Sequence, residues 1–280
     1  MSTALRTTAV LAAAALALSA CGANQSDEPT GPKTEGGVTT IVVGASPTPH
    51  AKILEFVQAN LAAKAGLKLD IKIYDDYIQP NVQLAEKALD ANYFQHLPYY
   101  EAQVKEKGYE FAHYAGVHIE PFGLYSKKVK TPNELKDGAQ IGINNDPSNQ
   151  GRALELLAKA GLITLKDGKD ATNATLFDIA TNPKNLQFKE TDPAQLVRSL
   201  EDFDAAVING NYALEAGLSP AKDAILVEDG KGNPYANFLA IRKDEEGNAA
   251  LKKLDELLHS QEVKDYITKT WTDGAVLPAA

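Results

Sequence analysis

Short strand-like apolar runs alternate with helical patterns along most of this 280-residue chain. Residues 38–45 (VTTIVVGA) and 68–74 (KLDIKIY) are typical of strands, and residues 50–65 carry apolar side chains at helical spacing. Residues 204–208 (DAAVI) form the kind of small apolar run that lies in a sheet covered on both faces. Strand and helix patterns that follow one another in this way predict an α/β fold with largely parallel sheets.

The folded part contains no Gly/Ser linker, although it is long for one simple sheet. Two breaks that contain proline and glycine lie beside apolar runs, at 120–123 and 232–235. We therefore predict two lobes that are joined by crossing strands. Residues 38–121 with 235–280 would form lobe 1, and residues 122–234 would form lobe 2.

The amino-terminal segment has the three regions of a secretory signal sequence. Arg6 precedes an alanine- and leucine-rich run, and small residues then lead to Cys21, the only cysteine of the chain. The sequence LSAC at 18–21 resembles a bacterial lipobox, in which the cysteine is lipidated after the signal is removed. We predict a signal peptide at 1–20, followed at 21–37 by the lipidated Cys21 and a flexible, polar stalk. Because the apolar run is too short to span a bilayer, the lipid would hold the protein at the extracytoplasmic face of the cell membrane.

Charge and motif content exclude several function classes. The formal net charge is −9, so an acidic surface would repel nucleic acid. The chain has no nucleophile elbow, P-loop or dinucleotide glycine fingerprint, so we expect neither an enzyme nor a cofactor. The five histidines lack the i, i+4 spacing of a helical metal site, and we expect no metal.

Polar and aromatic side chains follow several of the predicted strands, where ligands bind in α/β sheets. Arg152, near the start of a helix that Asp146 would cap, offers a planar fork that matches a carboxylate. Such residues suit a free amino acid or a short peptide. Taken singly, the arginine also fits a helix surface and the aromatic residues also fit a core. The segments are 76–81, 90–96, 144–152, 209–212 and 234–237.

Seven stretches carry a resemblance to a known family. Together and in this order they resemble the NlpA/MetQ-type methionine-binding lipoproteins, the receptors of a methionine-uptake ABC transporter. The resemblance covers residues 40–278, and the lipobox and polar stalk fit the same family. The stretches are PHA at 49–51, DYIQPN at 76–81, FQH at 94–96, GLYSKK at 123–128, NDPSN at 145–149 with GRAL at 151–154, AVINGNYA at 206–213 and PYAN at 234–237.

The resemblance implies a two-lobed periplasmic-binding-protein fold of type II, with the ligand in the cleft between the lobes. It implies a receptor that captures methionine and delivers it to the permease and ATPase complex of an ABC importer. Three residues would lie at the ligand's side chain, Arg152 would hold its carboxylate, and three asparagines would share its other polar groups. These residues are Tyr77, Phe94 and His96, with Asn145, Asn209 and Asn237.

Two other functions stay open at this point. The first is a receptor for a related cargo, such as D-methionine, methionine sulfoxide, a methionine-containing dipeptide or another apolar amino acid. The second is a surface interaction protein, such as an adhesin, that keeps the fold without transport. A disused cleft need not keep Arg152 and three asparagines together, and this argues against the second.

Overall fold

A computed structural model of the protein describes residues 31–230 and 233–279. The predicted signal peptide, Cys21 and most of the predicted stalk lie outside the described residues. The described strands form two mixed sheets and a two-stranded ribbon. In chain order they are β1 Lys33–Glu35, β2 Val38–Ala45, β3 Leu67–Ile73, β4 Ala91–His96, β5 Phe111–Ile119, β6 Gly123–Tyr125, β7 Gln140–Asn144, β8 Thr164–Leu165, β9 Ile179–Thr181, β10 Gln187–Thr191, β11 Ala205–Ile208, β12 Ala224–Val227, β13 Asn237–Arg242 and β14 Leu277–Pro278.

Nine α-helices are present in the described part, together with short helical turns such as Pro47–Ala51. None of the described helices combines the length and the apolar character needed to cross a membrane. The helices are α1 Lys52–Asn60, α2 Gln79–Ala85, α3 Leu97–Lys107, α4 Pro147–Lys159, α5 Pro193–Leu196, α6 Gly210–Glu215, α7 Pro220–Asp223, α8 Ala249–Leu258 and α9 Gln261–Thr270.

The first sheet takes strands from both ends of the described chain. Its order is β1-β2-β4-β13-β5-β14, and β3 also pairs with β2. Strands β2, β3 and β4 are parallel, whereas β13 runs antiparallel to both β4 and β5. Because β13 follows the whole second sheet in the chain, the first sheet is completed only after the chain has returned. We call this sheet and the helices packed on it lobe 1.

The second sheet is built entirely from the chain between Gly123 and Val227. Its order is β10-β7-β11-β6-β12, with β10, β7 and β11 parallel and with β6 and β12 antiparallel to their neighbours. This sheet and its helices are lobe 2. The prediction of parallel strands therefore holds for part of each sheet, and antiparallel strands adjoin the crossings. The exact boundaries at 121 and 234 stay a prediction.

Each sheet buries its own apolar core. In lobe 1, Ile41 and Val43 of β2 pack with Leu254 of α8. In lobe 2, Ile141 of β7 packs with Leu154 of α4. Fully burying each such side chain contributes about 1.5–3 kcal/mol, so each lobe has a stable platform from which to present a site.

The start of α4 follows from its sequence. Asp146 precedes Pro147 at the first helical position, and the Asp146 carboxylate accepts the backbone N–H of Asn149 at 3.0 Å. This cap satisfies an N–H that would otherwise lack a partner. The helix buries the face that includes Asn149 and Arg152, which are three residues apart and therefore adjacent.

Two segments differ from the sequence prediction. Part of the predicted stalk, Lys33–Glu35, is strand β1 and forms a hairpin with β2, because Gly36 and Gly37 supply the positive φ angles of a two-residue turn. Residues 91–96 were expected to follow a strand, yet they form β4, and all six are buried. Polar side chains can be buried there because they bond one another: Asn81 Oδ1 accepts from Asn92 at 2.9 Å and from Gln95 at 2.9 Å.

Candidate functional site

A cavity lies between the two lobes. Lobe 1, lobe 2 and the segment that joins β5 to β6 all contribute to its lining. The arrangement therefore suits a small ligand that touches both lobes at once.

One end of the cavity is aromatic. Phe94 on β4, Tyr99 on α3 and Tyr77, in the loop after β3, line it. The Tyr77 ring centroid lies 6.0 Å from that of Phe94 and 5.8 Å from that of Tyr99. We call these three residues the aromatic end. Aromatic faces favour an apolar or thioether side chain, because sulfur is polarizable and packs well against rings.

His96 lies beside the aromatic end at the N-cap of α3, where its Nδ1 accepts the backbone N–H of Tyr99 at 3.2 Å. Burial, with the positive charge of Arg152 as the second cause, lowers the pKa of His96 to about 3. The ring is therefore neutral at pH 7, and its Nε2–H donates to Asn149 Oδ1 at 3.2 Å. This bond joins lobe 1 to lobe 2.

Another part of the cavity, which we call the charged end, contains Arg152, which is 3 % exposed. The guanidinium plane lies between two rings, with Cζ 3.9 Å from the centroid of Phe122 and 4.0 Å from that of Tyr235. Cation–π contacts of this kind hold a guanidinium in one plane. Asp146 caps the nearby start of α4, and its carboxylate already accepts the helix N–H of Asn149.

Glu228 fixes one edge of the same guanidinium. Arg152 Nε donates to Glu228 Oε1 at 3.0 Å, and Nη2 donates to Glu228 Oε2 at 2.5 Å. Nη2 also donates to the backbone oxygen of Glu120 at 3.0 Å. Burial opposes ionisation of Glu228, but Arg152 outweighs it and holds the pKa of that carboxyl below its usual value. Arg152 Nη1 makes no hydrogen bond to any described residue, so its two N–H groups stay available to a ligand.

Two of the predicted asparagines line the cavity. Asn209, just before α6, donates from Nδ2 to Asn149 Oδ1 at 3.1 Å. Asn237, the first residue of β13, accepts from His50 Nε2 at 3.1 Å. Each is 6 % exposed, and each amide is hydrogen-bonded to a neighbouring side chain.

Asn145 is placed differently from the expectation. It is exposed and does not line the cavity, and its backbone N–H donates to Thr191 at 3.1 Å. It precedes the cap of α4, whereas Asn149 lies inside the first turns on the same face as Arg152. Asn149 therefore occupies the place that we had expected for Asn145. The structure brings the other six predicted site residues together around the cavity.

A buried polar cluster that the sequence analysis missed adjoins the charged end. Glu120 Oε1 lies 2.8 Å from His118 Nε2 and 3.2 Å from His50 Nε2. The ligand atoms of these three side chains lie within 4.8 Å of one another, which is a spacing that could hold a metal ion. Their hydrogen bonds already account for the arrangement, and a metal on His50 Nε2 would leave a proton on its buried, unpartnered Nδ1. His118 and Glu120 are two residues apart, a spacing that places both on one face of an extended chain and could have revealed the pair.

Further hydrogen bonds close the cavity from lobe to lobe. The Tyr77 hydroxyl donates to Asn211 Oδ1, and the Tyr212 hydroxyl donates to the backbone oxygen of Asp75 at 3.0 Å. Tyr77 also packs against the lobe 2 cluster that contains Tyr212. The described conformation is therefore a closed one, in which the two lobes bond each other directly around the cavity.

Comparison with known proteins gives a consistent result. The chain is 47 % identical over 94 % of its length to the methionine-binding lipoprotein MetQ of Bacillus subtilis, and the match covers 94 % of that protein. It is 40 % identical to the D-methionine-binding lipoprotein MetQ of Escherichia coli, over 93 % of each chain. A solved nutrient-binding protein of Burkholderia cenocepacia bound to methionine is 44 % identical, with a TM-score of 0.82 over 86 % of this chain and 100 % of that one.

These relatives show the two-lobed fold of extracytoplasmic solute-binding proteins, as the resemblance had implied. The family model of the NlpA lipoproteins matches residues 41–280, which include the second sheet, most of the first sheet and every residue of the cavity. The chain belongs to the NlpA lipoprotein family.

Proposed function

We propose that this protein captures methionine outside the cytoplasm and delivers it to the permease and ATPase of an ABC importer, without changing the ligand chemically. The observation that carries the proposal is a buried guanidinium that lines an aromatic-walled cavity between the two lobes and whose Nη1 bonds no described residue. A ligand carboxylate beside Arg152 would accept from the two N–H groups of Nη1, because both N–H groups of Nη2 already bond Glu228 and Glu120. The thioether side chain would then point to the aromatic end.

The roles of the site residues follow from this orientation. Tyr77, Phe94 and His96 would contact the side chain, and Arg152 would bind the carboxylate. Asn209 and Asn237 would bind the other polar groups of the ligand, and Asn149 would do so in place of Asn145.

Ligand capture would work by closure of the lobes. We propose that residues 38–121 with 235–280 move against residues 122–234 about the crossings near 121 and 234. A ligand that touches both lobes binds the closed state better, and so shifts the population toward it. The lobe-to-lobe bonds of Tyr77 and Tyr212 support this, because they can form only when the cleft is closed. The closed form would then dock on the permease.

Methionine has about nine heavy atoms, and the best small ligands gain roughly −1.5 kcal/mol per atom, so submicromolar affinity is attainable. D-methionine is the second candidate, because the Escherichia coli relative is a D-methionine-binding lipoprotein.

Calorimetric titration tests the proposal. The full-length chain is purified in detergent, unfolded and refolded to remove retained ligand, and checked by circular dichroism. The ligands are L-methionine, D-methionine, glycyl-methionine, methionine sulfoxide, leucine and glutamine. We expect one-to-one submicromolar binding of methionine, with leucine and glutamine at least about a hundredfold weaker.

Each outcome has a separate meaning. Tight binding of the D-isomer or of the dipeptide alone keeps the receptor function and changes its cargo. No binding across the panel by the folded protein overturns the proposal and favours a surface interaction role.

A further inference from the structure

Helix α6 of lobe 2 contacts lobe 1 directly. Its Asn211 Oδ1 accepts from the Tyr77 hydroxyl of lobe 1. Its Tyr212 hydroxyl donates to the backbone oxygen of Asp75, also of lobe 1, at 3.0 Å. Leu214 of the same helix packs against the apolar core of lobe 1. One face of α6 therefore meets the loop that follows β3 when the cleft is closed.

Glu215, the last residue of α6, lies on the same face. It follows Asn211 by four residues and Tyr212 by three, and residues at these spacings are neighbours on a helix surface. Glu215 is exposed, and so is Asp75 in the loop that this face meets. The closed cleft thus places a carboxylate of lobe 2 beside a carboxylate of lobe 1 at its rim.

Carboxylates from both lobes lie around this contact. They raise the pKa of the Tyr212 hydroxyl, for which burial is the larger cause. Two come from each lobe: Glu215 and Asp192 of lobe 2, and Asp76 and Asp75 of lobe 1. Because like charges repel, closing the cleft must bring these carboxylates together against their mutual repulsion.

The pKa of Glu215 reflects this environment. Burial raises the pKa of that carboxyl to about 7, and the negative charge of Asp75 is the second cause. Glu120 acts in the same direction, whereas Asn211 and Arg198 act against it. Arg198 is the smallest of these causes and is exposed, so its loss should change ligand affinity by less than about 1.5-fold.

Other titratable groups near the closed cleft have different environments. The turn Pro47–Ala51 packs against α6, and burial lowers the pKa of its His50 to about 4. Burial is also the main cause that lowers the pKa values of His96 and His118 to about 3. These three imidazoles therefore stay neutral near pH 7. Burial raises the pKa of Glu120 as well, so an experiment has to separate the two glutamates.

We propose that the charges of Glu215 and Asp75 oppose closure of the cleft, and that proton uptake by Glu215 favours the closed, ligand-binding state. This pH-sensitive device rests on the proposed function and adds a regulation of the same site. In the open state the lobes separate, and the pKa of Glu215 returns towards the usual value of about 4.3. The closed state therefore binds an extra proton near neutral pH, and a falling pH stabilises it.

The first arm of the test varies the pH and leaves the protein unchanged. The refolded full-length chain is titrated with L-methionine at pH 7.5 and at pH 6, at constant ionic strength. A pKa that moves from about 4.3 to about 7 on closure would permit a change of about eightfold. Because water screens charges at the rim, we expect methionine to bind about threefold more tightly at pH 6. Equal or weaker binding at pH 6 overturns the inference and leaves the proposed function intact.

The second arm repeats both titrations with Glu215→Gln, which keeps the size of the side chain and removes its charge. At pH 7.5 this variant should bind methionine about threefold more tightly than the wild type. Its affinity should change by less than about 1.5-fold between the two pH values, whereas a pH dependence that comes from Glu120 or from the ligand would persist. The control is Glu201→Gln, which removes another exposed carboxylate of lobe 2 that precedes β11, whereas α6 follows β11. The control should keep the pH dependence of the wild type.

The third arm removes the charge on the other side of the cleft. Asp75→Asn should also tighten binding at pH 7.5, by about twofold. Either substitution removes the same repulsion, so the double variant should bind no more than about 1.5-fold more tightly than Glu215→Gln alone. Fully additive gains would mean that the two carboxylates act independently, and they overturn the pairing.

Two further results contradict different claims. A folded Glu215→Gln protein that keeps the full pH dependence overturns the inference, because another group must then titrate on closure. If the wild-type protein binds methionine at neither pH, the proposed function fails and the role of Glu215 fails with it. If Glu215→Gln does not fold, Asp75→Asn alone should still weaken the pH dependence, and an undiminished one counts against the inference.

Discussion

The two ends of the cavity are built in different ways. The aromatic end comes from one stretch of lobe 1, residues 77–99, and its rings contact one another. The charged end joins Arg152 of lobe 2 to Glu120, Phe122 and Tyr235 of the two crossings. The aromatic end can therefore form within lobe 1, whereas the charged end needs lobe 2 and both crossings in register. The side-chain bonds from Tyr77 to Asn211 and from His96 to Asn149 nevertheless cross the cleft at or beside the aromatic end, so we infer that this end helps to hold the cleft closed.

The largest effect is expected at Arg152. Arg152→Ala should weaken methionine binding at least about a hundredfold, because it removes the carboxylate partner and leaves Glu228 buried without its cation. Arg152→Lys keeps a charge but loses the planar fork, so about a tenfold loss is expected. Titration calorimetry measures both.

The control for this comparison is Arg198→Ala, which removes an exposed arginine of the same lobe. It should leave the affinity unchanged. Wild-type affinity in a folded Arg152→Ala protein would show that the carboxylate is bound elsewhere.

The charged end should also make stability depend on pH. Burial depresses the pKa of His118 to about 3, so between pH 6.5 and 3 the unfolded chain binds a proton that the folded chain does not. The contribution of the neutral His118 ring to the free energy of unfolding is thus fully present above pH 6.5, and it is lost as the pH falls from 6.5 towards 3. By pH 4 the loss should be about 3 kcal/mol for this imidazole.

Urea unfolding of the ligand-free protein at pH 7, 5.5 and 4 measures this loss. His118→Asn should show a smaller fall in the free energy of unfolding than the wild type. His113→Asn is the matched control, because His113 is an exposed histidine of the same strand. An equal pH dependence in wild type and His118→Asn would contradict the argument.

The sequence is informative about each end to a different degree. Arg152 and Asn209 could be placed from local patterns, since a capped helix start precedes one and a buried apolar strand precedes the other. Phe94 and His96 were found through a motif, but the strand that carries them was not predicted. Strand β4 buries polar residues that bond one another, so it lacks the apolar pattern of a buried strand. The alternation of strands and helices was sufficient to predict the α/β class. It could not show that β13 is antiparallel, because that direction depends on where the chain returning from lobe 2 inserts into the first sheet.

The buried cluster could not be read in the same way. Glu120 and His118 share a face, but His50 arrives from a helical turn 68 residues earlier in the sequence than His118. Phe122 and Tyr235 belong to the two predicted crossings, yet their stacking on Arg152 exists only after both lobes have folded. Contacts between segments so distant in sequence leave no periodic signal in either segment.

A smaller effect is expected at the aromatic end. Tyr77→Phe keeps the ring in the wall but removes the hydroxyl that donates to Asn211 across the cleft. One hydrogen bond contributes about 0.5–1.5 kcal/mol net, so methionine should bind about threefold to tenfold more weakly. Stopped-flow measurement should place most of this loss in a faster dissociation, because the bond exists only in the closed state. An unchanged dissociation rate would show that this bond does not help to hold the cleft closed.

The smallest effect is expected at Asn145, and it distinguishes the structure from the motif. Asn145→Ala should change the dissociation constant of methionine by less than about twofold, because its side chain is exposed and outside the cavity. Asn149→Ala should weaken binding about tenfold, since Asn149 Oδ1 accepts from both His96 and Asn209, and its loss leaves two buried donors without a partner. Both variants are titrated under the same conditions. The opposite ranking would mean that the start of α4 rearranges when ligand binds and brings Asn145 into the site.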